Sequence, residues 1–318
     1  MKRLISILVS GLILWVIYGR IDFAGLGRVF QECDRGWMAI SLGMVVPLTG
    51  FTAWRLQQLM PRDRQAALGF GEANQLILAA SVLNMVLPSK MGDIAKAYFM
   101  RDHGHLDGSL AFSLVVFEKT CDLLSLLLWC VFGLALYPRR DWLFGTMTAG
   151  VALGLLLGAV LLGSPHVARC FFQGLRRLAP KRFKVKLRNL NRSWGAMHDY
   201  FWSDRRQLTL IALTSVFIWF LHLLQIWLFT LALKTPVPVL SNLALAPLAI
   251  LAGLLPLTFA GVGTRDAALI LFYAPYMNAP AAAALGLLCT SRYLMPAIGG
   301  LPFLGKYLAA MRTVSPLR

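Results

Sequence analysis

From Trp142 to Gly163 the chain runs for 22 residues without a single charged side chain. As a helix this segment rises about 33 Å, enough to cross a hydrocarbon core of about 30 Å. In lipid every backbone N–H and C=O must be paired internally, and a helix pairs them within the segment. Comparable apolar stretches occupy 37–60, 109–137, 208–233 and 281–304, and a shorter one, 4–18, follows Met1-Lys2-Arg3. The shorter stretch imitates a secretion signal, yet no small-x-small cleavage pattern precedes Arg20, so it reads as a first spanning helix. Charged residues make up 14% of the chain and hydrophobic residues 58%, whereas soluble domains carry roughly a quarter charged. The expected fold class is all-α: a polytopic integral membrane protein with about six full transmembrane helices.

Two segments interrupt the apolar pattern. Pro88, Lys90, Gly92, Asp93 and Lys96 fall where a spanning helix would otherwise continue. Proline removes a backbone donor and clashes with the preceding turn, so the helix arriving from Ala73 stops near Pro88. A new helix starts at Gly92-Asp93, where an aspartate suits the N-terminus. The second interruption holds Pro256, Gly261, Gly263, Thr264, Arg265 and Asp266. Residues 73–87 are too few for a span of about 20 residues. Each interruption therefore reads as a broken pair, either a re-entrant hairpin or two short half-helices. Asn74 lies fourteen residues before Pro88, and Asn242 fourteen before Pro256. A crossing with an embedded cation, Lys119 or Arg292, follows each pair. Three crossings separate the pairs, which places their entrances on opposite faces. Opposed broken helices build midplane sites in inverted-repeat transporters; a true inverted repeat and two unrelated breaks both fit the pattern.

The net charge of +17 could suggest nucleic acid, but its position argues for anionic lipid and against nucleic acid. Residues 164–207 hold eleven basic residues against Asp199 and Asp204, interleaved with Phe171, Phe172, Leu175, Leu178, Phe183 and Trp194. That connection is expected to form basic amphipathic helices on an anionic membrane surface. With each broken pair returning to its own side, one face collects nineteen Lys and Arg residues and the other six. By the positive-inside rule the first face is cytoplasmic, with both termini inside and the protein in the inner membrane. The chain reads as a single transmembrane domain, 1–318, with 164–207 as a connection within it. In the second crossing Pro47 is expected to introduce a kink, and Trp54-Arg55 suits the membrane interface.

The residue types at the breaks suggest what they could hold. Asp93 and Lys96 are three apart and share a helix face. Gly261-Val262-Gly263-Thr264 opens into a helix at Arg265 and Asp266, and free N–H groups there suit a phosphate. Simple capping by Asp93, Thr264 and Asp266, with cations reaching back to the interface, is the plainer alternative. Glu118 and Asp122 are four apart on one face, beside Lys119; with Arg292 they read as a polar lining, a proton relay or structural charge pairing. His222 reads as a hydrogen-bonded packing residue in preference to a relay. His103-Gly104-His105 lacks further metal ligands. The five cysteines are scattered singly, so neither a disulfide nor a metal or other cofactor is expected.

Leu87-Pro88-Ser89-Lys90-Met91-Gly92-Asp93, then Glu118-Lys119 and Asp122, then Leu255-Pro256 and Gly261-Val262-Gly263-Thr264-Arg265-Asp266, together resemble a known family. The chain is similar to the flippase-like transmembrane domain of lysylphosphatidylglycerol synthases, which also occurs as stand-alone membrane proteins. Lys119 stands where arginine is common in that family, and Asp266 where glutamate is common. Lysine keeps the charge but loses the bidentate fork. The resemblance implies translocation of a phospholipid or polyprenyl-linked headgroup across the cytoplasmic membrane, without the family's aminoacyl-transfer domain, and leaves a synthase or transferase partner open. On this reading Lys90, Gly92, Asp93, Lys96, Glu118, Lys119, Asp122, Gly261, Gly263, Thr264, Arg265, Asp266 and Arg292 line the lipid path. A membrane enzyme acting on a lipid-linked sugar or aminoacyl group, and a non-transporting lipid-binding scaffold, are the competing readings.

Overall fold

Apolar helices interrupted at the expected places make up the computed structural model of the protein, which describes residues 23–60, 68–86, 91–103, 106, 108–137, 141–178, 184, 188, 191, 194–195, 198–254 and 263–313. Among the described residues there is no strand. In chain order the helices are α1 (Phe23–Gln31), α2 (Arg35–Gly43), α3 (Val45–Leu59), α4 (Phe70–Val86), α5 (Met91–His103), α6 (Gly108–Leu136), α7 (Trp142–Gly163), α8 (Pro165–Leu178), α9 (Arg205–Ala232), α10 (Val239–Gly253), α11 (Thr264–Tyr273) and α12 (Ala279–Thr313). Five stretches are long and apolar enough to cross a membrane: Arg35–Leu59, Leu110–Leu136, Trp142–Gly163, Arg205–Ala232 and Ala279–Tyr307. They correspond to five of the six expected crossings; the sixth, 4–18, lies outside the described residues. The protein is thus an all-helical, multi-pass membrane protein.

The expected kink at Pro47 takes the form of a break between α2 and α3, at Met44. A proline ring clashes with the carbonyl four residues earlier, here that of Gly43, the last residue of α2. The two interruptions separate α4 from α5 and α10 from α11, with 87–90 and 255–262 outside the described residues. These four helices have 17, 13, 15 and 10 residues, each shorter than a spanning helix. In both pairs the two helices pack on each other.

The chain divides into two compact units. The first comprises Pro47–Ser125, Leu153–Ile218 and Pro296–Arg318. Its core gathers Leu56, Leu76, Phe99, Leu114, Phe117 and Phe201. Gly92 lets α5 lie directly on α4, where any Cβ would collide with the Ala80 carbonyl and with Asn84. Gly300 does the same for α12 against the Leu78 carbonyl. Trp194, read from sequence as a membrane-surface residue of the basic connection, is buried here, as is Phe201, and the Trp194 indole N–H donates to the Leu161 carbonyl at 2.9 Å. Helix α8 does fit the amphipathic expectation: Val167, Phe171 and Leu175 are exposed along it, with Arg176 and Arg177 in its last turn.

The second unit comprises Met1–Val46, Leu126–Ala152 and Trp219–Met295. Asn242 is fully buried in it; its amide donates to the Leu223 carbonyl at 2.9 Å, and its oxygen accepts from the Tyr273 hydroxyl at 2.8 Å. Gln225 donates to the Ser41 carbonyl at 2.9 Å, and the Asp34 N–H to the Ala232 carbonyl at 2.8 Å. These bonds tie α2 and the loop before it to α9. Asn74, fourteen residues before Pro88 in the other unit, differs: among the described residues its buried side-chain oxygen lacks a partner.

Candidate functional site

Burying an ion costs several kcal/mol even after the protein relaxes, so a buried charge needs close opposite charges. The first unit meets that need with six. Lys96 on α5 is 2% exposed and spans both oxygens of Glu118 on α6, at 3.0 Å and 2.8 Å. It also pairs with Asp93, one turn earlier, at 3.2 Å. Arg55 on α3, again 2% exposed, reaches Glu118 with Nη2 at 3.1 Å, and its Nη1 donates to Asp122 and, at 3.0 Å, to the Ser215 hydroxyl on α9. Ser215 in turn donates to the Ile211 carbonyl at 2.8 Å. Lys119 closes the cluster, 3.4 Å from Asp93, 3.4 Å from Asp122 and 3.9 Å from Glu118.

Three cations therefore meet three acids, and each acid contacts at least two cations. The shared contacts keep this much charge tolerable inside apolar helices. The cluster is graded in exposure. Arg55, Lys96 and Glu118 are sealed, whereas Lys119 is 42% and Asp122 23% exposed. Arg55 was read from sequence as an interfacial residue, and the structure corrects this. It lies near the end of an apolar run, where cations commonly reach out to headgroups, but here the guanidinium turns inward to Glu118 and Asp122.

The second unit holds the other group. Gly263 adopts φ 101°, a conformation that side-chain-bearing residues rarely take, and its N–H donates to Asp266 at 3.1 Å. The turn thus caps α11. Arg265 donates from Nε and Nη2 to Asp266, at 3.1 Å and 2.8 Å, and from Nη2 to the Gly286 carbonyl at 3.1 Å and the Thr290 hydroxyl at 2.7 Å on α12. Arg292 lies apart from these bonds, with Nη2 3.3 Å from His222 Nδ1.

One register relates several positions of the two units, although it sets Lys96 against Thr264 and not against Arg265. The register that aligns Asn74 with Asn242 and Pro88 with Pro256 also aligns Glu118 with Gly286 and Asp122 with Thr290. In the first unit the cation of the second short helix, Lys96, bonds to Glu118. In the second unit Arg265 bonds to the residues at both aligned positions, a carbonyl and a hydroxyl in place of two acids. Its acid is Asp266, next to it on the same helix.

Of the residues singled out in the sequence, Asp93, Lys96, Glu118, Lys119 and Asp122 thus come together in one unit. Gly263, Arg265 and Asp266 come together in the other, and Thr264 opens α11 beside them. Gly92 serves the packing of α5 on α4. Lys90 and Gly261 lie outside the described residues. Sequence reading missed Arg55, Ser215, Gly286 and Thr290. Only Arg55 carried a usable signal, a charge inside an apolar run; a glycine carbonyl or a helical hydroxyl has none. Among the described residues no group of histidine, cysteine and acidic side chains is arranged to hold a metal ion.

A multi-pass helical membrane protein with ion pairs buried between short interrupted helices and long spanning ones is the class this architecture defines. Residues 3–300 match the family described as the lysylphosphatidylglycerol synthase TM region, and the chain belongs to that family. It is 25% identical over 248 residues to the UPF0104 membrane protein MJ1595 of Methanocaldococcus jannaschii, covering 71% of each chain. No solved structure matches it.

Proposed function

We propose that the protein moves a phospholipid or polyprenyl-linked headgroup across the membrane, with α4–α5 and α10–α11 acting as re-entrant pairs. The observation that carries this reading is the six-charge cluster and its gradient of exposure. A structural ion pair needs no exposed members, yet Lys119 and Asp122 remain accessible beside a sealed core. Charge inside spanning segments is expensive and characteristically lines a substrate path. A headgroup carrying both a phosphate and an amine would exchange with the internal partners. Its phosphate would take Lys119 Nζ, and its amine would take Asp122, while Arg55 and Lys96 hold the acids in place. Acyl chains stay in lipid, and the headgroup is spared the full cost of desolvation. Membership of a family named for a lipid synthase supports a lipid cargo.

The test is translocation in reconstituted vesicles, using a headgroup-labelled lipid and a quencher confined to the outside. Lys119→Gln should slow transfer by roughly ten- to a hundredfold, as expected when one charge-assisted hydrogen bond is removed from the rate-limiting barrier. Wild-type rates in Lys119→Gln at matched incorporation would rule out this role for the cluster.

A further inference from the structure

We propose a second, independent anion site in the other unit, formed by Arg292 with His222 and accepting a single phosphate-type oxyanion. Arg292 is the fourteenth residue of the spanning stretch Ala279–Tyr307, which puts it roughly 20 Å along the helix from either end. Its side chain cannot reach an interface by extension alone. Among the described residues no carboxylate lies within ion-pair distance of it, in contrast to every cation of the first cluster and to Arg265. Its Nη2 faces His222 Nδ1 at 3.3 Å, which accepts from the guanidinium when the neutral imidazole carries its proton on Nε2. Nε is buried, with no partner among the described residues. The guanidinium also approaches the Tyr293 ring at 5.9 Å.

An arginine carries five N–H donors in a planar fork, and most of this one's are unspent. A lone positive charge at membrane depth is costly, and truncating a partner costs more than the pair itself contributes. A phosphate oxygen pair on Nε and the neighbouring Nη, seated as the packing over the buried Nε opens, would supply both the missing counter-charge and the missing acceptors. His222 holds the fork in orientation from α9. The guanidinium of Arg265 in the same unit differs, with Nε and Nη2 bonded to Asp266, Gly286 and Thr290. The site stands on its own contacts; only a lipid source for the anion rests on the translocation reading.

Thermal unfolding of the full chain in neutral detergent tests this, with inorganic phosphate and dioctanoyl phosphatidic acid as separate probes. Either probe should raise the melting temperature of the wild type in a saturable way. A response to inorganic phosphate identifies a soluble oxyanion, and a response to phosphatidic acid alone identifies a lipid headgroup. Arg292→Gln should fold without loss of melting temperature, because it removes an uncompensated charge, and should weaken the response about tenfold or more. Arg292→Lys, which keeps the charge but loses the fork, should fall between the two. No response to either probe overturns the site. Equal responses in wild type and Arg292→Gln overturn it too, as does an Arg292→Gln that cannot fold beside an Arg292→Lys that behaves as wild type. Because no transport is measured, this outcome is separable from failure of the translocation reading.

Discussion

Glu118 holds two sealed cations, Arg55 and Lys96, and is the residue on which the first cluster depends most. Glu118→Gln leaves Arg55 with Asp122 alone and Lys96 with Asp93 alone, and removing one partner of a buried pair costs about 3–5 kcal/mol. The expected result is a markedly lower unfolding temperature in detergent. Lys119→Gln is expected to cost under about 1 kcal/mol, because its pairs are partly solvated. If the two variants lose stability equally, the graded exposure of the cluster has no energetic meaning. Gly92→Ala tests packing: the added methyl meets the Ala80 carbonyl, and overpacking of this kind costs about 1–3 kcal/mol. Unchanged unfolding would show that α4 and α5 can separate. The acids and lysines of the cluster were legible in the sequence because intramembrane charge is rare. Their partner Arg55 was not recognised, since a cation near the end of an apolar run satisfies the interface reading equally well.

At the scale of elements, Pro88 and Pro256 announced the interruptions, and the structure sets helices of 17 and 15 residues before them. The break between α2 and α3 was placed at Pro47 itself, although a proline acts on the turn before it. Helix α8 was legible from its interleaved arginines and aromatics; the burial of Trp194 was not, because a tryptophan suits a core and a membrane surface alike. If α8 lies at an anionic surface, spin labels at Val167, Phe171 and Leu175 should report an apolar setting, and labels at Gln173 and Arg177 an aqueous one. Equal water accessibility at both sets, in vesicles containing anionic lipid, would remove α8 from the membrane surface.

For the whole molecule, charge asymmetry predicts that residues 164–207 face the cytoplasm. A membrane-impermeant thiol reagent applied to intact cells should label Lys234→Cys and spare Arg176→Cys in a background without other cysteines. The reverse pattern would invert the topology and, with it, the assignment of the two entrances. The neutrality of the six-charge cluster also bears on voltage. A transmembrane potential acts on net charge, with about 2.3 kcal/mol per elementary charge for each 100 mV fully crossed. Three positive and three negative groups moving together feel no net electrical force, so a conformational change that carries them through the field is neither driven nor opposed by it. On the translocation proposal, a zwitterionic headgroup would add nothing to that sum, and its passage would be electrically silent. Arg292, with no acid beside it among the described residues, is a group on which the membrane potential can act.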